Sequence, residues 1–126
     1  VRFPYRLVVD GQIVASLRLA NTYWARLRGL LGTRRCPGAL LISPGNSVHG
    51  LGMSYSLDVA QLDADLTVRH TTTLLPFGLV APRRGVRHVL EAERGAFARW
   101  GLRIGSRLSV DSDINPGRSE AAVGQP

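Results

Sequence analysis

The chain has 126 residues, 44% of them apolar and 20% charged, enough for one folded domain with a single core and too few for two. Sixteen basic side chains against nine acidic ones leave a formal charge of +7, which favours encounter with acidic partners, nucleic acid or anionic lipid. The single cysteine, Cys36, excludes an internal disulfide and a thiolate-only metal site, and no run of about 18 apolar residues is present to span a bilayer.

Every basic residue is Arg and none is Lys, a skew read here as a GC-rich coding background. From Asp111 onward three acidic residues and one Arg leave a segment of −2, so the preceding body carries +9. The opening VRFPYRLVVDG lacks the apolar core of a signal peptide, and a cytoplasmic location is the expectation.

Tyr5–Val9, Asp10-Gly11 and Ile13–Ala20 read as a β-hairpin, because Asp-Gly supplies the positive φ of a two-residue turn. Asn21 or Thr22 then caps a helix with Tyr23, Trp24, Leu27, Leu30 and Leu31 on one face and Gly32 as its stop. After the basic connector TRRCPG comes a short buried strand, ALLIS, which Pro44-Gly45 turns into the glycine-broken, strand-like SVHGLGM. LDVAQLD and LTVRHTTTL form a second hairpin across Asp63-Ala64-Asp65. PFGLVAPRRG reads as a loop with mixed apolar and basic character, VRHVLEA as a strand, and ERGAFARWG as a short helix with Ala96, Phe97 and Trp100 inward and Gly101 as its stop. SRLSV is the last strand. The elements predict an α+β fold: a small, mainly antiparallel twisted sheet curled into a barrel-like core, with two short helices. Residues 1–110 make the domain and 111–126 a flexible polar tail.

In this order the elements resemble the DUF192 or UPF0127 family, a prokaryotic family of undefined function. The resemblance runs from about Ala20 to Val110. Ala20 and Thr22 precede the helix, Gly29-Leu30-Leu31 is similar to the family's GLM, and Gly38-Ala39-Leu40-Leu41 to its GMLF. Val48 to Met53 resembles the aromatic-Trp-Met segment, Leu57-Asp58-Val59 the PLDV, Val89-Leu90-Glu91 the VLEL, and Gly101 with Gly105 the closing G-x-x-x-G. Two departures stand out. Leu51-Gly52-Met53-Ser54-Tyr55 replaces Trp-Met-Lys-Asn-Thr, and Arg94 replaces a small residue. The resemblance implies a compact β-rich, barrel-like domain and brings no agreed reaction, cofactor or catalytic residue; many relatives carry export signals.

Several constellations carry chemistry. His49 and Met53, joined by Cys36 or His88, have the softness that copper(I) prefers; the structural alternative has Met53 filling core and His49 satisfying one backbone partner. Cys36 beside Arg34 and Arg35 has the cations that lower a thiol pKa, and is otherwise an ordinary small residue. Asp58 and Glu91 each interrupt an apolar strand, where a carboxylate needs a partner. Either Asp58 accepts backbone N–H groups and Glu91 pairs with Arg28 or Arg87, or both face one pocket as acid and base. Arg34, Arg35, Arg83, Arg84 and Arg87 suit phosphates, but Trp24 and Trp100 are both expected inward, leaving a thin stacking platform for single strands. Phe77, Leu79 and Val80 beside Arg83 and Arg84 suit a protein contact.

These observations favour a monomeric, non-enzymatic binding or accessory module, without metal or cofactor, whose basic and partly apolar loop meets an acidic protein or ligand. The alternatives are a hydrolase or lyase using Asp58, Glu91 and His49, and a nucleic-acid-binding small barrel.

Overall fold

The structure, a computed structural model, describes residues 5–20, 38–45, 47–49, 55–112 and 119–120, without the side chains of residues 49, 119 and 120. The strands are β1 (Tyr5–Val9), β2 (Gln12–Ala20), β3 (Ala39–Ile42), β4 (Val48–His49), β5 (Leu57–Leu62), β6 (Val68–Leu74), β7 (Leu79–Val80), β8 (His88–Glu93), β9 (Leu108–Ser112) and β10 (Ser119–Glu120). One short helix among the described residues, α1, spans Ala96–Trp100. The helix expected over residues 22–31 lies outside the described residues.

Eight strands form one sheet in the order β10-β9-β1-β2-β3-β8-β5-β6, and β4 pairs with β7 in a separate two-stranded sheet. Among the described residues, every strand pairing is antiparallel except β2 with β3. The first hairpin turns at Asp10 (φ 49°) and Gly11 (φ 86°), two consecutive positive φ values that match the right-handed twist of the flanking strands. In the second hairpin Asp63 Oδ1 accepts the N–H groups of Asp65 (2.9 Å) and Thr67 (3.0 Å), and Leu66 carries the positive φ of 61°.

The sheet buries both faces at its centre. β3, β5 and β8 are therefore buried almost without a break rather than at alternate residues, and the polar side chains Gln61, His88 and Glu91 are buried with them. One face packs Leu17, Leu41, Ala60, Leu62 and Leu90 under Phe97 of α1. The other packs Leu40, Ile42, Val59 and Val89 against Val48 of β4 and Val80 of β7. Each fully buried Leu or Val contributes about 1.5–3 kcal/mol.

The expected barrel is corrected to an open sheet. The start of β6 touches the start of β9 through one bridge, Thr67 to Arg107, with Leu108 N–H donating to Leu66 O (2.9 Å) and Gly105 N–H to Val68 O (2.8 Å). A closed barrel needs a continuous ladder between first and last strands, and β10 occupies the edge of β9 at Val110 and Asp111. Strand β9 thus runs into the segment expected as a tail, and Ser119–Glu120 return to pair with it.

Candidate functional site

Among the described residues, the connection from β6 to β8 holds three of the five large exposed apolar side chains. Phe77 is 72% exposed, Leu79 69% and Leu75 56%. Gly78 N–H donates to Leu75 O at 2.8 Å, closing a turn with Pro76 and Phe77 at its central positions. Phe77 has φ 60° there, the left-handed conformation that Gly or Asn ordinarily supplies behind a Pro. Gly78 is required by close approach: a Cβ there would lie 2.9 Å from Leu75 O.

Two anchors hold this connection against the sheet. Val80 is buried, with β7 paired to β4, and Gln61 Nε2 donates to Ala81 O at 2.8 Å from within the core. Sequence reasoning treated residues 76–85 as loop and missed both anchors, because a two-residue strand has no periodicity to read. Beyond Ala81, Arg83, Arg84 and Arg87 are exposed. Arg83 comes near His70 of β6, whose pKa is lowered by partial burial first and then by the Arg83 and Arg69 charges. Exposed apolar and cationic groups therefore follow one another along this connection, with Arg83 close to β6.

Asp58 and Glu91 occupy adjacent strands, but the register separates them. Asp58 stands opposite Ala92 and Thr73, whereas Glu91 stands opposite Val59 and Leu40. Side chains alternate along a strand, so the two carboxylates point to opposite faces of the sheet. A shared acid–base pocket for this pair, one of the sequence-level alternatives, is thereby corrected. Asp58 Oδ2 accepts the N–H groups of Gly95 and Phe97, both at 3.0 Å. It satisfies the start of α1, whose own capping position, Gly95, has no side chain to do so. Asp58 also lines a surface cleft of about 280 Å³ with Thr71, Thr72, Thr73, Phe97 and Leu102. Glu91 is wholly buried on the opposite face.

His88 shares the Asp58 face but lies four residues away along the strand, roughly 13 Å at strand rise. Its Nδ1 is 2.8 Å from Ser43 Oγ. Burial lowers its pKa below 6.5; Asp63 opposes this and Arg87 adds to it. A second cleft of about 460 Å³ opens beside it, lined by Pro44, Gly45, Val86 and Arg87, where the Ser43–Pro44 peptide is cis. The backbone of His49 pairs with Leu79, which brings β4 to the exposed connection. Met53, Cys36, Arg28, Arg34, Arg35 and the side chain of His49 lie outside the described residues. Among the described residues, no three His, Cys, Asp or Glu side chains gather as a cation site, and no helix is long and apolar enough to cross a membrane.

Residues 6–110 match the profile of DUF192, described as Uncharacterized ACR, COG1430. The chain belongs to the DUF192 family. UPF0127 protein PF1050 of Pyrococcus furiosus is 28% identical over 102 residues, covering 77% of this chain and 88% of its own. UPF0127 protein PH1112 of Pyrococcus horikoshii is 31% identical over 85 residues, covering 64% and 74%. Two crystal structures share the fold. A protein of unknown function from Novosphingobium aromaticivorans has a TM-score of 0.67 at 20% identity, with 82% of each chain covered. A putative transcription regulator from Sinorhizobium meliloti has a TM-score of 0.68 at 23% identity, with 82% of this chain and 89% of its own covered. The DUF192 match includes β6, the exposed connection and α1, so the features described above lie within the family domain.

Proposed function

We propose that this DUF192 domain is a non-enzymatic binding module whose working surface is the β6–β8 connection, and that its partner is an acidic protein. The observation that carries this reading is Phe77. It occupies a left-handed turn position, which costs an L-residue about 1–2 kcal/mol, and it leaves 72% of its surface in water. Neither property helps the fold. Backbone strain and exposed aromatic surface at one residue are what a contact site retains. Leu75 and Leu79 extend the apolar area, and Arg83, Arg84 and Arg87 set the sign of the partner's charge.

The test is affinity capture from the native host with wild-type protein and with the Phe77→Gly, Leu79→Ser double variant, followed by calorimetry on the purified partner. The reading expects an acidic protein held by the wild type and lost from the variant, with affinity falling as salt rises. Identical capture by both proteins would overturn it. Retention by the variant of a nucleic acid with steep salt dependence would favour the nucleic-acid-binding alternative.

A further inference from the structure

At one end of the eight-stranded sheet, β6 pairs only with β5; its outer edge is met at Thr67 and Val68 by Arg107, Gly105 and Ser106, and no described strand pairs with it from Arg69 to Leu74. An edge strand presents a row of backbone N–H and C=O groups to solvent, and folded proteins usually blunt it with charge, Pro or a bulge. Here the middle of β6 is Thr71-Thr72-Thr73, all exposed. The register irregularity falls at the other end, opposite Gln61 and Leu62. Three β-branched residues hold the strand extended without obstructing a newcomer.

The two faces beside this edge differ in chemistry. On the α1 side runs the 280 Å³ cleft, where Asp58 stands with the Thr71 and Thr73 side chains above apolar Phe97 and Leu102. On the opposite side His70 stands near Arg83. Alternation along any strand laid on β6 would send one set of side chains into the cleft and the other toward His70 and Arg83.

We infer that β6 is a strand-addition site, taking an extended segment of the partner protein that alternates acidic residues, facing His70 and Arg83, with hydroxyl or apolar residues facing the Asp58 cleft. The inference takes the sign of the partner's charge from the function proposed above and adds the conformation and side-chain pattern of the bound segment. A second copy of this chain is disfavoured as occupant, because each copy carries +7 and two such bodies repel. Main-chain hydrogen bonds would supply affinity and the two faces specificity.

The probe is the peptide acetyl-Val-Glu-Thr-Glu-Val-Glu-Val-amide, titrated into 15N-labelled protein to millimolar concentration. The expected result is a set of shifts confined to β6, Asp58, Phe97 and Leu102, with slowed amide exchange at alternate β6 residues. An N-methylated peptide with the same side chains should bind at least about tenfold more weakly. Alternate residues of β6 point their N–H groups outward, so one of Thr71→Pro and Thr72→Pro leaves the ladder to β5 intact. The variant that keeps the wild-type Tm should lose the peptide. Absence of shifts at β6, or equal binding of the N-methylated peptide, overturns the inference. So does a concentration-dependent dimer in sedimentation that the Pro variant abolishes, since the occupant would then be a second copy. If partner capture still depends on Phe77 while the peptide fails, strand addition alone is refuted and the binding-module reading stands.

Discussion

Replacing Phe77 by Gly should stabilise the protein while weakening partner binding. In the folded state Phe77 sits at φ 60° with 72% of its surface exposed, so its ring contributes little burial. The left-handed conformation costs a Cβ-bearing residue about 1–2 kcal/mol, and Gly removes that strain. Gly also adds about 0.5–1 kcal/mol of unfolded-state entropy, which offsets part of the gain. The net expectation is a stabilisation of roughly 0.5–1 kcal/mol, or about 2–5 °C in Tm for a chain of this length. Urea unfolding gives the number directly, as a rise in midpoint at unchanged slope. A loss above about 1 kcal/mol would mean that the ring is a packing element. The case for Phe77 as a contact residue would then fall, and with it the argument that its strain serves binding.

Three further outcomes follow from the described contacts. Asp58→Ala should destabilise by about 1–2 kcal/mol, because the Gly95 and Phe97 amides lose their acceptor, and Asp58→Asn by roughly half as much, since one carbonyl oxygen can still accept; equal midpoints for the two variants in urea would refute the capping role. For His88, burial holds the folded pKa below 6.5, so the unfolded chain takes up the proton first. The stability that His88 contributes is complete above 6.5 and is lost as pH falls toward and through the lowered folded value, and His88→Gln should flatten the stability–pH curve below 6.5; an unchanged curve would assign the dependence elsewhere. Gly45→Ala should cost about 1–3 kcal/mol, because its Cβ would lie 2.9 Å from Cγ2 of buried Ile42, and a wild-type Tm would show that this contact relaxes without strain.

Local chemistry explains what could be read from the sequence alone. Asp10-Gly11 specifies a turn because consecutive positive φ values suit few residues. Gly101 ends α1 in the left-handed conformation at φ 69°, and its N–H reaches back to the Ala98 carbonyl. Period-two patterns and apolar runs locate β1, β2, β5, β6, β8 and β9, and the order of the segments identifies the family. Sequence also marked Phe77, Leu79, Arg83, Arg84 and Arg87 as one apolar and basic stretch, since that mixture is visible without coordinates.

Tertiary structure decided everything that depends on which strand lies beside which. Asp58 and Glu91 look equivalent in sequence, two carboxylates in apolar strands, yet the antiparallel register of β5 and β8 sends them to opposite faces. The parallel pairing of β2 with β3, the β4–β7 pair and the Gln61 anchor on Ala81 join residues far apart in the chain, and no local pattern encodes them. Whether the sheet closes was decided where β10 takes the edge of β9, leaving β6 open. Turns and strand patterns are properties of neighbouring residues, so sequence determines them; the facing of a carboxylate and the exposure of an edge are set by non-local hydrogen-bond registry, which only the folded chain fixes.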